Sequence, residues 1–347
     1  MRPFILTLLL GIAVHAGPVA AAECPPNPDL RFRVPDSVSK QVAAKLCVMY
    51  AQAQARPPMP PPKTLEDFDR MNAAIEAGAV PASQKFAAAM GVRSVRETIA
   101  GVSVLRIIPP NAQRGGAPLV YIHGGGYIVY SALSTQVLPS LLGKSLGREI
   151  ISIDYTLAPR GNVNTTLDQV IAVWRALVTA GNDPRAMGLF GDSAGANMAA
   201  AVTLKMRDQG VPLPGALYLL SPGADLTMSG DTVTTIGPDD PILDVKDFAT
   251  FHKAYAAGMD VRNPYLSPLY GDYTKAFPPT LIQAGTRELL LSGAVREYQA
   301  IRAGGHEAVL DVYEGMPHVF PSLLPNTPES DTAIATVAAF FRKHLSR

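Results

Sequence analysis

The stretch Met187-Gly188-Leu189-Phe190-Gly191-Asp192-Ser193-Ala194-Gly195 decides the fold of this chain. A short apolar run enters a Gly-x-Ser-x-Gly pentapeptide, and helix-forming residues without Pro or Gly follow at 197–206. This order predicts a strand, a sharp turn and a helix, in which strained backbone angles expose the serine hydroxyl above a sheet. Ser193 is therefore the candidate nucleophile, although the pentapeptide also occurs by chance in chains rich in Gly and Ala.

A glycine-rich segment upstream would complement this serine. Residues 119–122 have the pattern of a buried strand and lead directly into His123-Gly124-Gly125-Gly126-Tyr127. A serine hydroxyl is a weak nucleophile near neutral pH, so it needs a base and also donors for the oxyanion that it creates. Three successive glycines let the backbone approach a substrate closely with its amides facing inward. We expect Asp192, the variable residue of the pentapeptide, to bind neighbouring loop amides and hold the turn.

Five separated motifs resemble, in their order, those of the hormone-sensitive-lipase family of α/β-hydrolase esterases, over roughly residues 90–345. They are His123-Gly124-Gly125-Gly126, Asp154-Tyr155-Thr156-Leu157-Ala158-Pro159, Gly191-Asp192-Ser193-Ala194-Gly195, Asn263-Pro264-Tyr265-Leu266-Ser267-Pro268 and Gly315-Met316-Pro317-His318-Val319-Phe320. The resemblance implies that the amides of Gly125 and Gly126 join that of Ala194 in an oxyanion hole. It also implies that His123 is structural. Thr156 and Arg160 depart from the Arg and Glu that the family usually has there.

His318 is the candidate base among the six histidines. It follows the last predicted strand, and the resulting chain order of serine, acid and histidine is that of α/β-hydrolases. A capping or loop role for His318 is the alternative. The other five lie in the first 22 residues, in the glycine-rich segment, or in predicted helices and turns: His15, His123, His252, His306 and His344.

Glu288 is the candidate acid, because the acid of a serine triad orients the imidazole and follows the end of a strand. It comes soon after the predicted strand 280–283. The similar family more often has Asp here, with a second Asp where this chain has Ser292, but Glu can do the same work with one more methylene. Asp311 is the competing candidate, although it lies within a predicted strand. Arg287 is interpreted as a surface charge.

Composition favours one catalytic domain with a large core. The chain has 347 residues, of which 48% are apolar, and a net charge of +1. This charge gives no electrostatic footprint for nucleic acid or anionic lipid. No cluster of His, Cys and carboxylates has metal-ligand spacing, and no nucleotide-binding glycine loop is present. We therefore expect a small-molecule substrate, no nucleic-acid partner, no metal and no cofactor.

The amino-terminal residues have the pattern of a secretory signal peptide. Arg2 precedes the apolar run 4–14, and an Ala-x-Ala site predicts cleavage at the end of residues 1–22. The run is too short for a membrane span, and Glu23 before Cys24 argues against a lipid anchor. We expect a secreted or periplasmic protein without a stable membrane anchor.

The chain has two cysteines, Cys24 and Cys47. In an oxidising compartment a single disulfide is the economical interpretation. On the chain-entropy account, closing a loop of this length stabilises the fold by about 3 kcal/mol. The alternative is a free, buried Cys47 on a helix.

Alternating strands and helices predict an α/β fold with a mostly parallel central sheet flanked by helices. Segments 92–99 and 102–108 would form an antiparallel hairpin at its start. The further predicted strands are 119–122, 149–154, 187–190, 216–220, 280–283 and 308–313. The further predicted helices are 135–146, 166–180, 194–208, 291–303 and 331–345.

Two regions outside this alternation predict a helical cap over the catalytic domain 92–347. Segment 23–91 contains a predicted helix at 36–55, one at 65–77 that Thr64 caps and Gly78 ends, and one at 82–90. By the resemblance this segment would form part of the cap, and a packed extension away from the site is the alternative.

The second cap region is an insertion at about 223–262, whose helix carries Phe248, Phe251, His252 and Tyr255. It borders the crevice where open α/β sheets bind ligands, so it would line an acyl or alcohol pocket. An ordinary helical connection with its aromatic side chains in the core is the alternative.

Together these observations predict a serine carboxylesterase that hydrolyses short- to medium-chain acyl esters through an acyl-enzyme. A lactone, amide or formamide hydrolase with the same triad is an alternative, and a non-catalytic binding member of the fold is another. A homodimer through the terminal strand and helix is implied only by the resemblance.

Overall fold

The computed structural model describes residues 29–55, 60–113 and 115–346, so the predicted signal peptide and Cys24 lie outside the described residues. The strands are β1 (Arg93–Ile99), β2 (Val102–Ile108), β3 (Leu119–Ile122), β4 (Ile150–Ile153), β5 (Gly188–Asp192), β6 (Ala216–Leu220), β7 (Thr280–Arg287) and β8 (Ala308–Pro317). The α-helices are α1 (Lys40–Gln54), α2 (Leu65–Ala89), α3 (Val137–Leu146), α4 (Val163–Thr179), α5 (Ala194–Asp208), α6 (Asp231–Thr235), α7 (Val245–Ala256), α8 (Leu291–Ala303), α9 (Phe320–Leu323) and α10 (Pro328–His344). None of the helices in these described ranges has the length and apolar character needed to cross a membrane.

The strands form one eight-stranded sheet in the order β1-β2-β4-β3-β5-β6-β7-β8. The pairs β1–β2 and β2–β4 are antiparallel, and all the other pairs are parallel. The predicted hairpin and mostly parallel sheet are therefore confirmed. β3, β4, β5 and β6 are buried along their whole length, which is the expected burial of parallel strands covered on both faces.

Helices cover both faces of the sheet. Buried residues of α4, α5 and α8 share one apolar cluster with one face, and those of α3 and α10 share a second cluster with the other. Because β3, β5, β6, β7 and β8 run parallel, their carboxyl ends meet at the same edge of the sheet, where open α/β sheets bind ligands. The residues predicted for the triad and the oxyanion hole all follow strands at this edge.

The predicted helix break at Gly78 is wrong, because α2 continues through Gly78 and Pro81 to Ala89. Thr64 caps it as predicted, with a reciprocal capping box to Asp67. A glycine inside a helix costs about 1 kcal/mol relative to alanine. Burial on both sides of Gly78 outweighs that cost, since one face of α2 packs into the core at Phe68, Ile75, Ala79, Ser83 and Ala87.

α1 begins at Lys40, later than the predicted residue 36, because the Ser39 hydroxyl caps it by accepting from the Val42 N–H at 3.2 Å. Glu329 of α10 in turn accepts from the Ser39 N–H at 2.7 Å. The apolar face of α1 packs against the carboxyl-terminal part of the chain. The buried members of this cluster are Val42, Leu46, Met49, Tyr50, Met316, Phe320, Leu323, Leu324 and Ala333.

The last two strands are longer than the predicted 280–283 and 308–313. Polar residues and glycines end the apolar pattern, but backbone pairing continues to Arg287 and Pro317, with an irregularity after Gly285. A Cβ atom at Gly285 would lie 2.6 Å from the carbonyl carbon of Met316, so this close pairing requires glycine. The extension carries the chain directly to Glu288 and His318.

Candidate active site

Ser193 occupies a strained turn between β5 and α5. Its φ of 54° and ψ of −121° are sparsely populated by residues other than glycine. A Cβ atom at Gly191 would lie 2.7 Å from the Ile122 carbonyl oxygen, and one at Gly195 would lie 2.6 Å from that of His123. The Gly-x-Ser-x-Gly pattern thus has a steric cause at both of its glycines.

His318 and Glu288 form a buried pair. Nδ1 of His318 lies 2.6 Å from Oε2 of Glu288, and the residues are 3% and 0% exposed. Because an ionised carboxylate only accepts, Nδ1 carries the proton, and Nε2 of the neutral ring is free to accept one. The competing acid, Asp311, instead accepts from the Gln283 amide at 2.9 Å.

Carboxylates surround the His318 imidazole. Burial alone would lower the pKa of His318, but the hydrogen bond and charge of Glu288, with the charges of Asp240 and Asp192, raise this pKa above its ordinary value. The imidazolium form is therefore stabilised, as a base that must hold a proton during a reaction requires.

Ser221, at the end of β6, links the loops that carry these residues. Its hydroxyl donates to Glu288 Oε1 at 3.1 Å and accepts from the Val319 N–H at 3.0 Å. The preceding carbonyl, that of Leu220, accepts from the Ser193 N–H at 2.8 Å. Two adjacent residues thus fix the serine, the acid and the histidine loop relative to one another. Ser221 was not identified from the sequence, in which only its position after a buried strand could have indicated it.

Asp192 holds the glycine-rich segment against the nucleophile turn. Its Oδ1 accepts from the Tyr121 hydroxyl at 2.5 Å and from the Gly124 N–H at 3.1 Å. Burial raises the pKa of Asp192, and the Tyr121 hydrogen bond opposes this rise. A Cβ atom at Gly124 would lie 3.1 Å from the Ser193 Cβ, so the segment lies directly beside the serine.

The amides of Gly125, Gly126 and Ala194 are available as donors. The two glycines have φ values of 110° and 58°, and a Cβ atom at Gly125 would lie 2.7 Å from the Tyr130 ring. Within the described ranges, neither glycine N–H donates to a backbone acceptor. Ala194 is the first residue of α5, where N–H groups have no intrahelical acceptor. An anionic oxygen beside Ser193 could bind such donors.

His123 is buried but differs from His318 in its partners. Its Nδ1 donates to the Gly124 carbonyl at 2.8 Å, and its ring stacks on Tyr155 with the ring centroids 4.3 Å apart. Burial lowers the pKa of His123, so the ring stays neutral. These contacts suit a structural role.

The insertion places α7 over the glycine-rich segment. Phe251 approaches Gly126 so closely that a Cβ there would lie 3.1 Å from its ring, and Tyr255 stacks on Tyr127 at 3.9 Å. A separate pocket of about 540 Å³ lies beside α7. Its lining includes Leu226, Met228, Phe248, His252 and Met259. The aromatic residues of α7 therefore divide between covering the glycine-rich segment and lining this pocket.

Arg287 lies partly exposed at the surface, as predicted, but it also makes specific contacts. Its guanidinium donates to the carbonyl oxygens of Leu30 and Arg33 and lies 5.9 Å from the centre of the Tyr50 ring. The residue before the candidate acid therefore attaches the amino-terminal segment to the acid loop.

A strained serine, a buried histidine–glutamate pair and free glycine amides at the carboxyl edge of this sheet define an α/β-hydrolase site. A family profile described as "alpha/beta hydrolase fold" matches residues 119–322, and the chain belongs to that family. The resemblance to the hormone-sensitive-lipase family is confirmed, because solved relatives include an esterase of the bacterial family of that name. That structure has a TM-score of 0.78 and 29% identity, covering 89% of this chain and 99% of its own.

Other relatives also have esterase or acetyl-hydrolase names. The structure of esterase E25 has a TM-score of 0.82 and 28% identity, covering 93% of this chain and 98% of its own. An acetyl-hydrolase of Streptomyces hygroscopicus is 36% identical over 231 residues, which cover 67% of this chain and 77% of that protein. The putative acetyl-hydrolase LipR of Mycobacterium tuberculosis is 33% identical over 255 residues, which cover 74% of this chain and 82% of that protein.

Proposed function

We propose that this protein is a serine carboxylesterase that acts on short- to medium-chain acyl esters. The observation that carries the proposal is the buried Glu288–His318 pair, tied through Ser221 to a serine in a strained turn. Relatives named as esterases and acetyl-hydrolases support an ester substrate with a small acyl group.

In the proposed mechanism, the Ser193 hydroxyl oxygen attacks the ester carbonyl carbon while Nε2 of His318 takes its proton. Glu288 holds the imidazole in the required tautomer and stabilises its charged form. The tetrahedral oxyanion accepts hydrogen bonds from the amides of Gly125, Gly126 and Ala194. His318 then donates the proton to the leaving alcohol, and a water that it activates hydrolyses the acyl-enzyme.

The cap limits the space around the reacting carbonyl. Phe251 lies against Gly126, so a long acyl or alcohol group must pass this ring to reach the serine. This contact favours small groups on that side. Lactones and amides could use the same triad, and competition between substrates separates them from simple esters.

The test is hydrolysis of nitrophenyl esters from acetate to palmitate by the wild type and by Ser193→Ala. We expect turnover that peaks at short chains and falls by at least about 10³-fold in the variant. Ser103→Ala, at an exposed serine of β2, is the matched control and should keep wild-type turnover. A folded wild type without serine-dependent turnover on any ester would favour the amide hydrolase or the non-catalytic binding member.

We also propose that the protein is exported, cleaved after residue 22 and bridged between Cys24 and Cys47. The amino-terminal pattern and the two cysteines support this, whereas Cys24 lies outside the described residues. Amino-terminal sequencing of protein from the medium or periplasm tests the cleavage. Intact mass before and after reduction with alkylation tests the bridge, and protein retained in the cytoplasm with its full amino terminus would contradict the proposal.

A further inference from the structure

Asp240 is a third buried carboxylate whose charge acts on His318, besides those of Glu288 and Asp192. It follows a 3-10 turn, Gly237–Asp239, in the insertion, and its side chain is fully buried. Its Oδ1 accepts from the N–H groups of Ile242 and Leu243 at 2.8 and 2.9 Å, and its Oδ2 accepts from that of Leu289 at 2.8 Å. Three backbone donors thus satisfy one carboxylate.

The bond to Leu289 connects two segments that are far apart in the chain. Leu289 directly follows Glu288, whose Oε2 contacts His318. This hydrogen bond fixes the backbone immediately after the acid. Before the acid in the chain, the Gly285 N–H donates to Glu288 Oε1 at 2.7 Å. The acid loop is therefore fixed by two contacts, one with Gly285 of its own strand and one with Asp240 of the insertion.

The charge of Asp240 also acts on the imidazole. The charged groups that face His318 are Glu288 from the acid loop, Asp240 from the insertion and Asp192 from the nucleophile turn. Burial raises the pKa of Asp240, and its three N–H donors oppose that rise and favour the carboxylate. The carboxylate form helps to raise the pKa of His318.

The amino-terminal segment contacts both the insertion and the acid loop. The Arg31 guanidinium donates to the Asp240 carbonyl oxygen at 3.4 Å, and Arg287 donates to the carbonyls of Leu30 and Arg33. The insertion, the acid loop and the amino-terminal segment thus meet at Asp240.

We propose that Asp240 is a positioning residue of the triad, which fixes the Glu288 loop through the Leu289 N–H and couples the cap insertion to the acid–base pair. It touches neither substrate nor reacting atoms, and acts through Glu288 and His318. The proposal rests on the proposed esterase function, since it needs a reaction in which His318 is the base.

The first test is Asp240→Asn, which keeps the shape but removes the charge. An amide has one acceptor oxygen, so either the Leu289 N–H or the Ile242 and Leu243 N–H groups face a donor. We expect kcat on nitrophenyl butyrate to fall about 10- to 100-fold with little change in KM, by analogy with the residues that orient metal ligands from outside. The acidic limb of the kcat/KM profile should also move to lower pH, because one carboxylate facing His318 is gone.

Asp239→Asn is the matched control, since it makes the same chemical change one residue earlier at a half-buried carboxylate. It should keep the wild-type kcat and pH profile. If Asp240→Asn does not fold, Asp240→Ser retains a hydroxyl for the Ile242 and Leu243 amides but cannot reach Leu289. The same two shifts are expected of it.

Wild-type kcat in a folded Asp240 variant would overturn the inference. The inference would also be overturned if kcat fell in proportion to the stability lost in urea while the acidic limb of the pH profile did not move. A merely structural role predicts that result. These outcomes can be distinguished from failure of the proposed esterase function. In that case the wild type itself would show no Ser193-dependent hydrolysis.

Discussion

Two buried histidines at the same edge of the sheet, His123 after β3 and His318 after β8, have different hydrogen-bond partners and pKa values shifted in opposite directions. Nδ1 of each binds an oxygen at a short distance, 2.8 and 2.6 Å, but the first oxygen belongs to a backbone carbonyl and the second to a carboxylate. The pKa of His123 is lowered by burial, whereas that of His318 is raised by Glu288 and two further carboxylates. The partner therefore decides which buried imidazole can take up a proton, and burial alone does not.

The largest expected effect comes from giving His318 a neutral partner, as His123 has. In Glu288→Gln the amide removes the charge and can donate to Nδ1, which favours the wrong tautomer. We expect kcat on nitrophenyl butyrate to fall on the order of 10⁴-fold, as amide substitution does in serine triads. The control is Glu314→Gln, at an exposed position on β8, which should keep wild-type kcat. A loss below tenfold for Glu288→Gln would mean that another group serves as the acid.

A smaller effect is expected at His123. In His123→Asn the side-chain amide keeps a donor near the Gly124 carbonyl but loses the stacking on Tyr155, so the glycine segment shifts slightly. We expect a loss of about tenfold in kcat/KM.

Because the neutral form of His318 is the active base and its pKa is raised, the rate should fall as pH drops through a midpoint above about 6.5. This midpoint should be the same in the wild type and in His123→Asn, and a shifted midpoint would show that His123 titrates in the reaction.

The comparison extends to two buried glutamates, Glu288 beside His318 and Glu297 in α8. For a change at Glu297 we expect an effect on stability and none on activity. Burial raises the pKa of Glu297 in α8 from 4.5 to about 8, against a smaller opposing contribution from Tyr273. The folded protein therefore binds this proton more tightly than the unfolded chain, so stability is lost as pH rises from about 4.5 through about 8. Glu297→Gln removes that loss and should gain about 1 kcal/mol per pH unit over the wild type in this window.

The measurement is the urea midpoint of both proteins at pH 6 and pH 9. The difference between Glu297→Gln and the wild type should widen at pH 9, while kcat stays equal at both pH values. An equal difference at the two pH values would mean that Glu297 keeps an ordinary pKa in the fold.

Local pattern predicted much of this molecule because local causes determine it. The Gly-x-Ser-x-Gly turn needs glycines at fixed positions, so Ser193 was recognisable from the sequence. The position after a strand end favours Glu288 over Asp311 as the acid, and the structure has Glu288 against His318. In contrast, the ends of β7 and β8 were missed, since their pairing continues after the apolar pattern stops.

The residues that sequence reasoning missed act through distant contacts. Ser221 has no local signal, because its role depends on Glu288 and Val319, which reach it only in the folded chain. Asp240 resembles an ordinary turn residue until Leu289 is brought to it from 49 positions away. The break predicted at Gly78 failed for a related reason, since packing on both sides of the glycine overrides its local preference.

The packing of α1 has a consequence for the order of events during synthesis. Its apolar face contacts Met316, Phe320 and Leu324, and its cap residue Ser39 contacts Glu329, which lies 290 positions later. The ribosome makes α1 early, but the surface that buries it appears only when the last tenth of the chain emerges. Until then the apolar face of the helix has no native partner. The earliest described helix is thus among the last elements that can dock.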